Sequence, residues 1–438
     1  MSSLPKGWVE IKLGELIELK YGKALPAKVR DGIGFPVYGS NGIVGSHSEP
    51  LVYGGGLIIG RKGSFGEVHI SNDNFSPIDT TYYVDTFPSG TKKYWYYQLK
   101  NLPLTKLNRS TAIPGLNRDD AYAQMISLPP DNEQKRIVEK LDEVLAQVDT
   151  IKARLDGIPS LLKRFRQSVL ASAVSGKLTE EWRGEKQYDE EGYPSYWLRK
   201  GLDDLGALAR GKSKHRPRND PRLFGAEYPF IQTGEVAQSN GIITSCSKWY
   251  SEFGLEQGKL FSKGTLCITI AANIADTAIL GIDACFPDSV VGFTPNKDIT
   301  SALFVKYLID VNKNRLEQFA PATAQKNINL KVLKSLSLPY PNLDEQKEIV
   351  RLVEQYFAFA DTIEAQVKKA QARVNNLTQS ILAKAFRGEL VPQDPNDEPA
   401  DKLLERIAQA RIEAETLAKA AKKAETARKK AEKAIAKG

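Results

Sequence analysis

The sequence predicts an α+β protein made of two α+β domains, separated by a pair of long helices that pack on each other as a coiled coil. Three observations predict this fold. The chain of 438 residues repeats itself internally, two segments carry a heptad pattern of apolar residues, and the segments ahead of them carry short β-rich runs broken by Gly, Asn and Ser. The repeat predicts a pseudo-twofold relation between the two halves.

The internal repeat is clearest in the segments with the heptad pattern. Glu133-Gln134-Lys135 recurs as Glu345-Gln346-Lys347, an offset of 212 (345 minus 133). The parts ahead of them repeat more faintly, at an offset of 189 (197 minus 8): Pro5, Trp8, Leu13, Leu16, Gly22 and Lys23 match Pro194, Trp197, Leu202, Leu205, Gly211 and Lys212. We therefore divide the chain into a first domain (1–130), a first helical spacer (131–185), a second domain (186–341), a second helical spacer (342–390), and a C-terminal linker with an Ala/Lys/Glu-rich helical tail (391–438).

Each helical spacer carries one apolar seam. Apolar residues follow one another in alternating steps of four and three, which predicts a long helix that packs through a heptad seam. Pro159 lies inside the first helix, but the seam keeps its register across it, so we expect a kink and not an end. Asp131 and Asn342 are the expected helix caps. The seam residues are Ile137, Leu141, Val144, Val148, Ile151 and Leu155 in the first helix, and Ile349, Val353, Tyr356, Ile363 and Val367 in the second.

The two domains ahead of the spacers are predicted to contain mixed or antiparallel β-sheet. Runs such as GFPVYGSNGIVG (34–45) and TLCITIAA (265–272) alternate with turn residues every few positions. Each domain also has one predicted helix, over 92–102 and 301–319. Short strands with a single helix predict an α+β domain of ordinary size.

Composition excludes several classes of protein. Hydrophobic residues make up 41% of the chain, enough for packed cores, yet no apolar run approaches the ~18–20 residues that span a membrane. The first residues lack the apolar core of a signal peptide, so we expect a cytoplasmic protein. Cys246, Cys267 and Cys285 have no CxxC spacing and are expected to be reduced, buried thiols. The net charge of +8 partly reports the tail, because 401–438 holds 11 basic and 6 acidic residues.

No catalytic motif is found. The chain has no GxxxxGK[ST] loop, no GxGxxG that opens a helix, and no Asn/Asp-Pro-Pro-aromatic loop of an adenine methyltransferase. Asp131 and Glu133 match a PD…ExK nuclease only superficially, because carboxylates two residues apart at a helix start do not converge from separate strands. His47, His69 and His215 are scattered without nearby Cys pairs, so no metal site is expected. We therefore expect no chemistry from this chain alone.

Polar, basic loops are the features suited to binding. The segment 209–222 (ARGKSKHRPRNDPR) has six Arg/Lys and one acid, which suits phosphate neutralisation. In the first domain, 38–42 and 61–64 place donors beside glycines, where the backbone can approach a DNA duplex and side chains can reach base edges. An ordinary solvated turn is the alternative for each loop. The candidate DNA-binding residues are Lys23, Ser40, Asn41, Arg61, Lys62, Ser64, Thr111, Lys212, Lys214, Arg216, Arg218, Gln232, Thr233, Lys326 and Asn327.

The helical segments and the domain starts together resemble those of the specificity subunits of type I restriction–modification systems. Residues 131–183 and 344–407 look like the two conserved regions of that family, and LPKGWVEIKLGEL (4–16) and YPSYWLRKGLDDL (193–205) look like the starts of its target-recognition domains. The resemblance implies two target-recognition domains separated by an antiparallel pair of coiled-coil helices. Each domain would read one half of an asymmetric bipartite site in double-stranded DNA. The resemblance also implies two modification subunits that use S-adenosylmethionine to methylate adenine at N6, and two restriction subunits that use ATP and Mg. This chain itself would hold no cofactor.

Two other classes of protein stay open at this point. A stand-alone two-headed DNA-binding regulator predicts identical halves and a palindromic site, whereas these two domains differ. A purely structural coiled coil would leave the β-rich domains without a purpose. The extension over 411–438 is expected to be a solvated helix, with a nucleic-acid-binding tail as the alternative.

If the helices set the distance between the half-sites, lengthening both should lengthen the gap. Inserting one heptad after Ala153 and another after Ala365 keeps the seam and adds ~10 Å of helix. The unread gap should then grow by about three base pairs at ~3.4 Å each, while the bases read in each half stay the same. A four-residue insertion, which breaks the seam, is the control. Methylation of the original site with its original gap by the seven-residue variant would show that the helices do not set the spacing.

Overall fold

The computed structural model describes residues 4–108, 114–184, 186–271, 273–318, 328–413, 416–417 and 419. The chain forms two compact units, one made of Met1–Asp156 with Lys369–Gly438 and the other of Gly157–Lys368. Each unit therefore contains one β-rich domain, the first half of the long helix that follows that domain, and the second half of the other long helix. The predicted α+β fold with two long helices is confirmed.

The first unit contains three small sheets. Its strands are β1 (Val9–Lys12), β2 (Lys20–Tyr21), β3 (Phe35–Gly39), β4 (Gly42–His47), β5 (Gly56–Gly60), β6 (Val68–Ser71), β7 (Ser76–Pro77), β8 (Thr81–Val84) and β9 (Met125–Leu128). Strands β1 and β9 pair antiparallel, the four-stranded sheet has the order β2-β8-β5-β6, and the three-stranded sheet has the order β4-β3-β7. The helices that follow are α1 (Lys92–Asn101), α2 (Arg118–Tyr122) and α3 (Asp131–Val174).

The second unit repeats this plan with larger sheets. Its strands are β10 (Leu198–Lys200), β11 (Gly206–Arg210), β12 (Phe224–Phe230), β13 (Ile242–Ile243), β14 (Lys248–Tyr250), β15 (Leu260–Phe261), β16 (Leu266–Thr269), β17 (Thr277–Leu280), β18 (Ala284–Cys285), β19 (Val290–Pro295) and β20 (Leu338–Tyr340). Strands β10 and β20 pair antiparallel, as β1 and β9 do, and the larger sheets have the orders β11-β19-β16-β17-β13 and β14-β12-β18-β15.

The remaining helices belong mostly to the second unit. They are α4 (Glu180–Arg183), α5 (Leu202–Leu205), α6 (Thr233–Gln238), α7 (Glu252–Gln257), α8 (Ala302–Val311), α9 (Lys313–Gln318), α10 (Leu330–Lys334) and α11 (Leu343–Ala385). A further helix, α12, covers 400–413 in the first unit. Short 3-10 turns lie at Leu13–Glu15, Ala27–Val29, Leu104–Lys106, Lys177–Thr179 and Pro221–Leu223. The helices predicted over 92–102 and 301–319 are thus present, the latter as two consecutive helices.

The long helices α3 and α11 pack antiparallel, as predicted. In the first unit, the Gln371 side-chain amide donates to Asp156 at 2.8 Å. In the second unit, Arg166 contacts Asp361 at 2.5 Å, so a residue later in α3 than Asp156 meets one earlier in α11 than Gln371. Helix α3 continues without a break through Pro159.

The heptad seam is buried more completely along one of its two rows than along the other. Leu141, Val148, Leu162 and Val169 in α3, and Val353, Ala360, Val367 and Val374 in α11, are buried at multiples of seven residues. The other row is buried at the helix starts, at Ile137 and Ile349, and opens further along: Ile151 is 46% exposed and Tyr356 is 40% exposed, so these two do not occupy the buried position that the heptad pattern predicted. Ile137 and Ile349 belong to the apolar cores of the two units, whereas the second row beyond them lies at the edge of the contact between the helices.

The same hydrogen bond fastens each domain to the helix that follows it. Trp8 Nε1 donates to Glu133 Oε2 at 2.9 Å in the first unit, and Trp197 Nε1 donates to Glu345 Oε2 at 3.0 Å in the second. All four side chains are buried. We call this pair of contacts the tryptophan–glutamate joint. The recurring Glu-Gln-Lys segment therefore marks a structural contact, not a nuclease site.

The glutamine of each Glu-Gln-Lys segment reinforces the joint. Gln134 Nε2 donates to the Pro129 carbonyl, and Gln346 Nε2 donates to the Pro341 carbonyl, both at 3.0 Å. Each glutamine thus binds the backbone just ahead of its helix. Because a buried amide without partners is costly, these bonds fix the end of the sheet against the helix start.

The helix caps differ between the two copies. Asn342 accepts a hydrogen bond from the Glu345 N–H at 2.9 Å and caps α11, as predicted. Asp131 is instead the first residue of α3, accepts from the Gly90 N–H at 3.1 Å and pairs with Lys135. The predicted cap at Asp131 is therefore wrong, because its carboxylate is used by a loop of the domain.

The buried carboxylate of the joint has many partners in the second unit. Glu345 Oε1 accepts from Thr179 Oγ1 at 2.7 Å and from Arg183 Nη1 at 2.8 Å. Its Oε2 accepts from the Tyr196 hydroxyl as well as from Trp197. The Arg183–Glu345 ion pair is almost completely enclosed, with the two side chains 3% and 0% exposed.

The equivalent carboxylate of the first unit has one partner. At the offsets of the repeat, Val391, Pro395 and Gly7 stand in place of Thr179, Arg183 and Tyr196. Glu133 Oε1 is consequently buried without a hydrogen-bond partner among the described residues. Burial raises the pKa of Glu133, and the bond from Trp8 opposes that rise.

Glu345→Gln and Glu133→Gln should therefore destabilise their units to very different extents. Glu345→Gln leaves the buried Arg183 without its counter-charge and should destabilise the second unit by about 3–5 kcal/mol. Glu133→Gln keeps an acceptor for Trp8 and removes a poorly solvated charge, so it should cost under ~1 kcal/mol. Because the folded-state pKa of Glu133 is raised, the stability of the wild-type first unit falls as pH rises through that pKa, and the Gln variant should lose this dependence.

Hydrogen–deuterium exchange measures this contrast, because it reports local opening in each unit separately. The expected result is faster exchange around β20 and the start of α11 in Glu345→Gln, with α1 unchanged. Equal acceleration of exchange in both variants would contradict this account of the joint.

Candidate nucleic-acid interface

A Gly-Lys dipeptide forms a tight corner in the first domain. The Gly22 N–H donates to the Thr81 carbonyl at 3.1 Å, and the Lys23 N–H donates to the Pro77 carbonyl at 3.0 Å. A Cβ added to Gly22 would lie 2.1 Å from the Ile78 carbonyl oxygen, so only glycine fits this close approach. The corner leaves the Lys23 side chain exposed.

The second domain builds the same corner at the position given by the repeat. The Gly211 N–H donates to the Val290 carbonyl at 2.9 Å, and the Lys212 N–H donates to the Phe286 carbonyl at 3.1 Å. A Cβ on Gly211 would lie 2.2 Å from the Pro287 carbonyl oxygen. The fainter repeat, which relates Gly22 to Gly211, thus marks one shared piece of backbone geometry that presents a lysine in each domain.

The loop residues predicted in the first domain divide into internal and exposed ones. Ser40 is 8% exposed, and its hydroxyl lies 2.5 Å from the Lys62 carbonyl and 2.8 Å from the Thr80 carbonyl. Its hydroxyl therefore holds two loops together and does not face solvent. Asn41 is exposed at the turn between β3 and β4, and the Lys62 and Ser64 side chains are exposed on the next loop.

Beside this loop lies an arginine–tyrosine cluster, made of Tyr21, Arg61, Tyr82, Arg118 and Tyr122. The Arg61 guanidinium carbon lies 5.2 Å from the centre of the Tyr21 ring and 6.0 Å from that of Tyr82. The Arg118 guanidinium carbon lies 5.2 Å from the centre of the same Tyr21 ring and 5.8 Å from that of Tyr122. Cation–π contacts therefore hold two arginines at one partly exposed ring.

The positive charge of this cluster is not neutralised within the described part of the chain. Neither Arg61 nor Arg118 forms an ion pair there, and the Nε atoms of both are buried without a hydrogen-bond partner. Burial, together with the neighbouring Tyr21, raises the pKa of Tyr82 to about 12, so this phenol stays neutral at physiological pH. Tyr21 itself is 48% exposed, which places the cluster at the surface.

Sequence reasoning singled out Arg61 and missed Arg118. No local pattern marks Arg118, which follows the Asn117 cap of α2 as an ordinary first-turn residue. The repeat carried a signal, because the second copy has Leu330 after its own Asn329 cap. A comparison of the two copies at matched positions, where Arg118 corresponds to Leu330, would have singled out this arginine.

The basic loop of the second domain is less positive than its sequence indicates. Arg218 Nη2 lies 3.0 Å from both carboxylate oxygens of Asp288. Arg222 and His215 both contact Asp220, at 2.8 and 2.7 Å, and the bonds from Arg222 and then His215 hold the pKa of Asp220 far below its usual value. Two of the predicted cationic groups are thus paired with carboxylates.

Three predicted cations of that loop are not paired with an acid within the described residues. Lys212 and Lys214 bind the fold through their backbone N–H groups, which donate to Phe286 and Gln257. Arg216 Nη1 donates to two backbone carbonyls of its own loop, at 2.8 Å each. Within the described residues, no carboxylate therefore neutralises these three side chains, of which Lys214 and Arg216 are exposed and Lys212 is half-buried.

The other predicted residues lie elsewhere or outside the described chain. Gln232 is exposed and immediately precedes α6, whose first residue is Thr233. Thr111, Lys326 and Asn327 fall outside the described residues.

Cys267 and Cys285 are buried as expected, whereas Cys246 is only partly buried. Over the ranges that the structure describes, no group of His, Cys, Asp and Glu could hold a metal ion, and no helix is long and apolar enough to cross a membrane.

Comparison with known proteins defines the class to which this architecture belongs. The family model described as "Type I restriction modification DNA specificity domain" matches residues 5–160 and 194–371. The chain therefore belongs to the type I restriction–modification specificity family, and the predicted resemblance is confirmed.

Individual relatives cover nearly the whole chain. The specificity subunit of the type I restriction enzyme EcoDI from Escherichia coli is 34% identical, over 93% of this chain and 96% of its own. The EcoBI specificity subunit from the same species is also 34% identical, over 82% and 80%. The crystal structure of the HsdS subunit from Thermoanaerobacter tengcongensis has the same fold, with a TM-score of 0.57 and 19% identity, over 89% of this chain and 99% of its own.

Proposed function

We propose that this chain is the DNA sequence-recognition subunit of a type I restriction–modification complex. Each β-rich domain reads one half of an asymmetric bipartite site in double-stranded DNA. The chain does no chemistry itself: two modification subunits with S-adenosylmethionine methylate adenine at N6, and two restriction subunits with ATP and Mg cut the DNA. The specificity subunits among its relatives support this assignment.

The observation that carries the proposal is that the two domains share the same backbone geometry at the Gly-Lys corner but surround it with different side chains. Both domains present a lysine from the same Gly-Lys corner, at Lys23 and Lys212. The side chains around the corners differ, with two arginines stacked on tyrosines in the first domain and a partly neutralised basic loop in the second. A shared frame suits docking on the same DNA backbone, and different side chains suit reading different bases.

Methylome sequencing of a host that carries this chain with its modification subunits tests the function. The expected product is N6-methyladenine in one bipartite site, and the purified chain alone should transfer no methyl group. Asn41→Ala, at an exposed turn of the first domain, should relax or change one half of the site and leave the other half intact. Methyl transfer by the isolated chain, or methylation without a sequence requirement, would contradict the proposal.

The basic loop of the second domain is proposed to contact phosphates. Replacing Lys212, Lys214 and Arg216 with Ala should weaken binding to all sequences alike and reduce the salt slope by about 0.9 for each phosphate that is no longer bound. Arg218→Ala is the comparison variant, and its effect should be smaller because Asp288 already neutralises that arginine. Binding titrations between ~50 and ~200 mM salt measure the slopes of both variants. An unchanged slope in the triple variant would make the loop an ordinary solvated turn.

A further inference from the structure

In the second domain, an uncharged residue occupies the position that corresponds to Arg61. The Leu116 N–H donates to the Arg61 carbonyl at 2.9 Å, and the Ile328 N–H donates to the Ile270 carbonyl at 2.8 Å. Leu116 and Ile328 occupy equivalent positions of the repeat, since they have the same separation as the two Glu-Gln-Lys segments. Ile270 therefore stands where Arg61 stands, and it is buried in the apolar core.

The other members of the arginine–tyrosine cluster are replaced as well. Arg118 and Leu330 each follow an asparagine whose side chain caps a five-residue helix. Tyr82 and Val291 each follow the residue that accepts the hydrogen bond of the Gly-Lys corner. The second domain thus has Ile, Leu and Val at the positions that correspond to Arg61, Arg118 and Tyr82.

This comparison within one chain separates what the fold needs from what it does not. The second domain folds with apolar residues at these positions, so folding does not require the two guanidinium groups of the first domain. Keeping both there is unfavourable, because two like charges share one ring and each has a buried Nε without a partner among the described residues. An anion bound between them would relieve both costs.

We propose that Arg61 and Arg118 together clamp a single DNA phosphate beside the half-site read by the first domain, and that Tyr21 is the residue that positions them. The inference rests on the proposed function and goes beyond it by assigning the two arginines to the DNA backbone. It differs from the sequence-based expectation that Arg61 reaches base edges.

The geometry favours one phosphate over a base contact. Each guanidinium carbon lies 5.2 Å from the centre of the same Tyr21 ring, so the two carbons are at most 10.4 Å apart (twice 5.2 Å), a separation that one phosphate between them can bridge. Burial of both Nε atoms leaves the terminal Nη groups to meet a ligand. Several oxygens and a full negative charge are what two convergent guanidinium groups bind best, and a phosphate provides both.

The decisive measurement is the salt dependence of DNA binding by the complex with modification subunits. Arg61→Ile and Arg118→Leu copy the residues of the second domain and should each weaken binding to target and non-target DNA alike. Because the two arginines share one phosphate, the double variant should lower the salt slope by about 0.9, the value for one contact, and not by about 1.8. Arg154→Leu, an exposed arginine of α3 in the same unit, removes the same charge and should leave the slope unchanged.

Each other outcome overturns the inference. A fall of about 1.8 means two separate phosphates, an unchanged slope means no DNA contact, and an altered base preference in the first half-site means base reading. If the Ile or Leu variants fail to fold, Arg61→Gln and Arg118→Gln remove the charge and keep a polar side chain. A wild-type complex with no sequence preference would sink the proposed function itself. Normal site selection with an unchanged double-variant slope would sink only this inference.

Tyr21 is tested separately, as a positioning residue. Tyr21→Phe keeps the aromatic ring and should keep both affinity and slope. Tyr21→Leu removes the ring and should weaken binding in the wild-type background, but not in the Arg61→Ile, Arg118→Leu double variant. Equal weakening in both backgrounds would show that Tyr21 acts independently of the arginines.

Discussion

A buried hydrogen bond from tryptophan to glutamate is the constraint on which both units depend. The glutamate lies in the first turn of a long helix, where the helix dipole favours a negative charge, and the tryptophan comes from the start of the domain that precedes the helix. The bond therefore fixes the start and the end of each domain to one point. The rest of each domain, including the surface that carries the Gly-Lys corner, lies between these two joined ends of the domain.

The architecture could be predicted from the sequence because its signals are periodic. Heptad spacing marked both long helices, the family resemblance implied their antiparallel pairing, and the Glu-Gln-Lys recurrence marked the repeat in whose two copies the joint is found. Periodicity does not report how much of a seam two helices can cover, so the exposure of Ile151 and Tyr356 was not predicted. It also does not report that Asp131 is used by a distant loop at Gly90, which changed the expected cap.

The binding surface was less predictable because its chemistry depends on contacts between distant residues. Arg218 appeared to be a free cation until the fold placed Asp288, which is distant in the sequence, against it. Ser40 appeared to be a solvent-facing donor, but two backbone carbonyls surround its hydroxyl. Arg118 carried no motif, and it emerged only from stacking on Tyr21. Loop composition indicates where charge lies along the chain, whereas the fold decides which charges remain available.

The division of the chain between the two units has a consequence for its biosynthesis. The second unit is one continuous stretch, Gly157–Lys368, whereas the first unit combines the N-terminal segment with the last part of the chain. The core of the first unit includes Leu382, Phe386, Leu403 and Ile407, and the Ala400 N–H binds the Gly7 carbonyl. On the ribosome, the second unit can therefore finish folding first. The domain that is translated first must wait, with part of its core uncovered, until the chain has been made as far as Ile407.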